Sequence, residues 1–230
     1  MNRALDLDPA AFLRLDECRD CFACASSVPS ALVLGSPPQG DPPLLSVVIP
    51  TCSRPRFFRA ALESVLGQKD PGVPWEIVVT DNTPAPEESV TPAQAAAGEY
   101  SCARLRFYRN GENLGPGHNW NRGVELARGV WTTLLHDDDL LRPDALRSIA
   151  DIISRHAHLE KPLGYIHARR IEFSDDFDAR IAERHDRPFD QELTRTGALI
   201  RGWSQTAVPS CGTTILKKAY VEAGGVDYAF

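Results

Sequence analysis

The chain lacks any apolar run near the roughly 20 residues that span a bilayer. Its opening stretch, MNRALDLDPAAFLRLDE, carries acids and has no long apolar segment of the kind a signal peptide needs. A cytoplasmic location is therefore expected, with peripheral contact at a membrane surface still compatible. Blocks of lysine or arginine are also missing, and the net charge is -6. A phosphate backbone needs a basic face, so nucleic acid is set aside as the main partner. Two nucleotide signatures are absent as well. No G-x-x-x-x-G-K-[ST] occurs, which excludes a P-loop, and no G-x-G-x-x-G follows the first strand pattern, which excludes the dinucleotide fingerprint.

Cysteine is sparse and unevenly placed. Of the six, Cys52, Cys102 and Cys211 are isolated and read as reduced thiols in or near the core. Cys18, Cys21 and Cys24 repeat a three-residue spacing in CRDCFAC. That spacing suits zinc or iron–sulfur ligation, or a single apolar stripe on a helix. No second Cys or His pair lies nearby to complete four ligands, which favours the stripe.

What is present is an ordinary globular composition, 43% hydrophobic and 24% charged over 230 residues. Residues 1–43 read as an N-terminal extension. It would hold a helix from Pro9 to about Cys24, then a Pro/Gly/Ser-rich linker, SVPSALVLGSPPQGDPP. From residue 44 the pattern becomes regular. LLSVVIP (44–50), WEIVVTDN (75–82), ARLRFYRN (103–110) and VWTTLLHDDD (130–139) read as strands. RPRFFRAALESVLGQ (54–68), GHNWNRGVELARG (117–129, closed by Gly129) and RPDALRSIADIISRH (142–156, with Pro143 in its first turn) read as helices. Alternating strands and helices with short connections predict an α/β layer fold with a mostly parallel central sheet flanked by helices. Ligands of such sheets bind beyond the carboxyl ends of the strands. Three polar clusters fall there: TCSR after the first strand, DN after the second, HDDD after the fourth.

Three adjacent carboxylates, Asp137, Asp138 and Asp139, repel one another unless water or a cation intervenes. A nucleotide site without a Gly-rich cradle has to neutralise its phosphates another way. A divalent cation on carboxylates, Mg²⁺ or Mn²⁺, does so. The other reading is a solvated acidic turn with Asp139 near a helix N-terminus.

The ordered set SVVIPTCSRPRFFRAALESVLGQ, EIVVTDN and NLGPGHNWNRGVELARGVWTTLLHDDDLLRPDAL resembles family 2 glycosyltransferases of GT-A fold. The resemblance is strong over about residues 44–156 and looser to the end. It implies a GT-A domain over 44–230, with a nucleotide half at about 44–156 and a partial acceptor half at about 157–230. It implies that Thr51, Ser53, Arg54 and Asp81 hold the nucleotide base, usually uracil, that Asn82 belongs to the nucleotide-sugar site, and that Asn113, Gly115 and Asn121 shape the sugar-nucleotide side. Counting back from Pro143 makes Asp138 the metal ligand. Asp137 then faces the ribose or the metal shell, with Asp139 beside it. His136 stands where the family pattern has an acid.

The implied reaction is metal-assisted attack of an acceptor hydroxyl on the anomeric carbon of a UDP-linked sugar, with inversion; the acceptor is a glycan, a lipid-linked sugar or a protein. The family's base follows a G-G-F-D turn. AGGVD (223–227) matches that turn and the chain stops at Phe230, so a fragment of a longer protein is expected, with the base beyond Phe230; Asp227, structural in the family's turn, is the alternative candidate inside the sequence. A non-catalytic sugar-nucleotide or glycan-binding module on the same scaffold is the alternative. Asp175, Asp176 and Asp178 read as an exposed loop, Trp203 as packing or an acceptor platform, and His167 as a strand residue.

Overall fold

The computed structural model of the chain describes residues 21–86, 88–158, 163–167 and 212–226. Its centre is a seven-stranded sheet: β1 (Ser30–Leu34), β2 (Leu45–Thr51), β3 (Trp75–Asp81), β4 (Leu105–Asn110), β5 (Trp131–Leu134), β6 (Tyr165–His167) and β7 (Thr213–Leu216), in the order β1-β4-β3-β2-β5-β7-β6. The central pairs β4–β3, β3–β2 and β2–β5 are parallel, and β1, β7 and β6 join antiparallel at the two sides.

The helices are α1 (Cys21–Cys24), α2 (Pro55–Leu66), α3 (Pro92–Gly98), α4 (Gly115–Leu126), α5 (Ala145–His156) and α6 (Lys217–Glu222). In α2, Pro55 sits in the first turn, where its missing N–H costs nothing, and Phe58, Ala61, Leu62 and Val65 bury one stripe. That stripe packs with α3 and α5 on Leu45, Val47, Ile49, Ile77, Val79 and Phe107. The alternate residues Val48, Val78 and Tyr108 point to the opposite face, where Ala127 at the end of α4 joins their cluster. Both sheet faces are thus covered, which is why β2 and β3 read as continuous apolar runs. Gly123 lets α4 lie this close, since a methyl there would stand 2.3 Å from Val48 Cγ1.

The α/β expectation is met, with several corrections. Part of the stretch read as a linker is β1, paired with β4 from Ser30↔Asn110 onward. The buried guanidinium of Arg122 holds the segment before it, donating to Ala25 O at 2.6 Å, Val28 O at 2.8 Å and Ser30 Oγ at 2.7 Å. The α4 helix ends at Leu126, not Gly129; Gly129 instead donates its N–H to Ser46 Oγ. The α5 helix starts at Ala145, after Pro143, and β5 ends at Leu134, so the aspartates lie in the following turn. Most of the helix expected over Pro9–Cys24, Cys18, Cys211, Trp203 and Asp175–Asp178 lie outside the described residues. Cys21 is buried, Cys52 and Cys102 are free thiols, and His167 is a β6 residue as expected. Among the described residues no helix is long and apolar enough to cross a membrane.

Candidate functional site

The site forms where the parallel strands end together. Thr51 and Asp81 are paired in register, so the segments after β2 and β3 leave the sheet at one level, and the turn after β5 meets them. Thr51 Oγ1 donates to Asp137 Oδ2 at 2.7 Å, across 86 residues of sequence. Arg54, the residue before α2, reaches Asp137 Oδ1 at 2.5 Å with one nitrogen and Asp138 Oδ2 at 2.8 Å with another. The TCSR and HDDD segments are therefore one polar cluster.

The three carboxylates have different surroundings. Asp137 is buried, and burial pushes its pKa up against the opposing Thr51 hydrogen bond and Arg54 charge. Asp138 is exposed and Asp139 half-buried. His136 lies over Trp120 of α4, with ring centroids 4.4 Å apart and planes 29° apart. Burial holds its pKa below the ordinary 6.5, despite the aspartates around it. His136, Asp138 and Asp139 each offer a ligand atom within 4.8 Å of the others. A mixed imidazole and carboxylate set of this size fits a divalent cation. Asp137 stands apart from that set, turned to Thr51 and Arg54.

A second cluster is built of amides. Asn82 Nδ2 donates to Asn113 Oδ1 at 2.9 Å and to Gly115 O at 3.1 Å, while Asn82 Oδ1 accepts from Asn110 Nδ2 at 2.8 Å and from the Leu114 N–H at 3.1 Å. Asn119 Oδ1 accepts from the same Asn110 amide, and its Nδ2 donates to Thr51 O and Thr80 O. Three expected residues, Asn82, Asn113 and Gly115, thus meet and set the start of α4. Asn110 and Asn119, which the sequence did not single out, carry the network under the strand ends. Its only signal was Asn recurring at a strand end and within a helix, where Asn is a poor former.

Ser53 has φ 56°, the one non-glycine residue with positive φ among those described. Its N–H donates to Thr83 Oγ1 at 2.8 Å, and Thr83 Oγ1 donates in turn to Asp81 Oδ1 at 2.5 Å. Asp81 Oδ2 accepts from Thr91 Oγ1 at 2.5 Å. Asp81 is fully buried, and three of its carboxylate bonds, the Thr83 N–H included, stay within the chain. Thr83 and Thr91 are further residues that sequence reasoning missed.

Asn121 is placed elsewhere. It faces the turn Gly224–Val226: its Oδ1 accepts from Tyr220 Oη at 2.6 Å and from the Val226 N–H at 2.9 Å, and its Nδ2 donates to Val226 O at 3.0 Å. Cys21 N–H donates to Gly224 O, so α1 closes the same turn from the other side. Asp227 lies outside the described residues.

Residues 46–223 match the model of the family described as Glycosyl transferase family 2. Among curated proteins the chain is 41% identical over 91 residues to the succinoglycan biosynthesis protein ExoO of Rhizobium meliloti, covering 40% of this chain and 24% of that protein. It is 29% identical to the abequosyltransferase RfbV of Salmonella typhimurium, covering 50% and 34%. It is 31% identical to the GalNAc(5)-diNAcBac-PP-undecaprenol beta-1,3-glucosyltransferase of Campylobacter jejuni, covering 46% and 33%. The chain spans about a quarter to a third of the length of these relatives. Among solved structures, S. aureus TarS 1–349 in complex with UDP-GlcNAc aligns with a TM-score of 0.43 and 24% identity, over 49% of this chain and 32% of that one.

Proposed function

Because the chain belongs to glycosyl transferase family 2, whose model spans residues 46–223, we propose that it moves a sugar from a nucleotide-linked donor to an acceptor hydroxyl. The observation that carries this reading is the Thr51–Asp137–Arg54–Asp138 cluster at the aligned strand ends. In the proposed reaction the acceptor oxygen attacks the anomeric carbon, the bond from that carbon to the diphosphate oxygen breaks, and the nucleoside diphosphate leaves. The acceptor proton passes to a carboxylate base, for which Asp227 is the candidate within the sequence. Two relatives carry transferase names, which favours an enzyme over a non-catalytic binding module.

The donor is read as UDP-linked. Ser53, Arg54, Asp81 and Asn82 form the base side, and Asn113 and Gly115 the rim near the sugar. For Asp81 to accept the N3–H of uracil, a threonine hydroxyl that now occupies it has to give way. If UDP and CDP bind equally well, Asp81 does not read the base. Asn121 acts at the acceptor-side turn in this reading. The cation expected is Mn²⁺ or Mg²⁺, held through Asp138 with Asp139; when bound it would offset charge developing on the departing diphosphate. Acceptors remain a glycan, a lipid-linked sugar or a protein. A cytoplasmic setting belongs to the same proposal and rests on the free thiols Cys52 and Cys102.

Calorimetry of UDP binding with Mn²⁺ and with EDTA tests the reading. Affinity should fall when the metal is removed, and Asp138→Ala should abolish the metal-dependent part. Equal affinity in both conditions sinks it.

A further inference from the structure

We propose that the His136 imidazole nitrogen is itself a metal ligand, so that the site favours a borderline transition ion such as Co²⁺ or Zn²⁺ over Mg²⁺. This rests on the reading of the strand-end cluster as a metal-assisted donor site.

The turn after β5 sorts its four polar side chains into two sets. Asp137 is directed inward, to Thr51 and Arg54. His136, Asp138 and Asp139 bring one ligand atom each into a single group no more than 4.8 Å across. The turn itself makes this grouping: the Asp139 N–H donates to His136 O at 3.1 Å, which folds the Asp139 carboxylate back to 3.7 Å from His136 Nδ1. That separation is too long for a hydrogen bond. Two ligand atoms about 2.1 Å from a shared ion stand about 3.0–3.4 Å apart for octahedral or tetrahedral angles. A small rotation of the Asp139 carboxylate closes the gap.

Two further contacts prepare the imidazole. Stacking on Trp120 fixes the plane of the ring, so its nitrogen lone pair keeps one direction. Arg54 holds only one oxygen of Asp138, Oδ2, which leaves Oδ1 for an ion. The guanidinium also supplies the positive charge that keeps this acidic turn together when no cation is bound.

The choice of metal follows from the donor set. Mg²⁺ demands oxygen ligands and keeps several waters. Imidazole nitrogen suits later first-row ions, and its advantage over oxygen grows along the series from Mn²⁺ toward Cu²⁺. Replacing an acid by His at one corner of the group therefore changes selectivity between ions more than it changes affinity overall.

The test compares Co²⁺ and Mg²⁺ titrations, each with UDP present, for the natural protein, for His136→Asp and for Asp138→Ala. The Co²⁺-to-Mg²⁺ affinity ratio should fall by roughly tenfold or more in His136→Asp, which restores an all-oxygen set. Pulsed EPR of the Mn²⁺-loaded natural protein should show nitrogen hyperfine coupling that His136→Asp abolishes. The EPR measurement stands even if the variant folds poorly. Metal binding that depends on Asp138, with an unchanged ratio and no nitrogen coupling, overturns the role of His136 and leaves the donor-site reading intact. Failure of both ions to bind the natural protein overturns the two together.

Discussion

Asn121 and Val226, 105 residues apart, exchange two hydrogen bonds through one side-chain amide: Nδ2 donates to Val226 O at 3.0 Å, and the Val226 N–H donates to Oδ1 at 2.9 Å. The amide is satisfied at both ends, with Tyr220 Oη as a second donor to Oδ1. Asn121→Ala leaves these groups unpaired; losing the buried Tyr220 bond costs about 1–3 kcal/mol, and the part-buried Val226 bonds less. Urea denaturation should show a lowered midpoint. Gly225→Ala should act in the same direction: φ is +79°, and the added methyl would stand 2.7 Å from Asn121 Oδ1. Unchanged midpoints in both variants would remove Asn121 as the anchor of the turn.

Gly123→Ala sets two effects against each other. Helix propensity favours Ala over Gly by about 1 kcal/mol. The methyl, however, would lie 2.3 Å from Val48 Cγ1 and 3.3 Å from Thr80 Oγ1. Overpacking a sheet-covering helix costs about 1–3 kcal/mol, so the variant should be net destabilised in thermal melts. A raised melting temperature would show that α4 shifts freely.

Ser53 tests strain at the site. A residue held at φ 56° for no local reason costs about 1–3 kcal/mol. Ser53→Gly should be close to neutral or mildly stabilising, while Ser53→Val, β-branched in a left-handed conformation, should be clearly destabilised and weakened in UDP binding. Equal stability of the two variants would mean that the loop relaxes without loss.

The metal-free protein should lose stability in mild acid. His136 has its pKa lowered by burial, so the folded state binds its proton less readily than the unfolded chain does. Stability from this group is complete above the ordinary 6.5 and falls as pH drops below it, until the depressed folded pKa is passed. His136→Gln should flatten that slope in urea titrations run in EDTA from pH 7.5 to 5, a window set about the unperturbed imidazole value. A wild-type slope in the variant would assign the acid sensitivity to other groups.

Arg122 predicts the outcome of removing residues 1–35. Its guanidinium would lose Ala25 O, Val28 O and Ser30 Oγ and keep Glu125, 3.1 Å from Nε. A hydrogen bond to a charged group is worth about 1.5–3 kcal/mol, less where water takes its place. The shortened chain should melt earlier and aggregate. Retention of the full melting temperature would show that the segment is dispensable.

The parts legible from sequence were those with one dominant signal. Buried parallel strands announce themselves as unbroken apolar runs, and α2 and α5 by their apolar stripes. The strand β1 was missed because an antiparallel edge strand with only partial burial has no such run, and SALVL is framed by Pro, Ser and Gly. The helix α3 was missed because it is short and alanine-rich, although Thr91 and Pro92 are sound start signals. At the site, Thr51, Arg54 and the aspartates were legible because charge at a strand end is conspicuous. The Asn110–Asn119 pair was not, since which amide faces which depends on contacts between segments that sequence spacing does not reveal. Asn121 differs from Asn119 by two positions, and 200° of helix rotation, at about 100° per residue, separates the strand ends from the turn.

Placing β1 beside β4 has a consequence for biosynthesis. Ser30 leaves the ribosome 80 residues ahead of Asn110, its partner in the sheet. At about 5–20 residues per second the nascent strand waits about 4–16 s before it can pair. During that interval an apolar SALVL segment has no native neighbour, and a chaperone or a second nascent chain can compete for it. Both strands of the β2–β3 pair, whose partners are 30 residues apart, are made before β4, so among the described strands the earliest to be made is not the earliest to have its partner available.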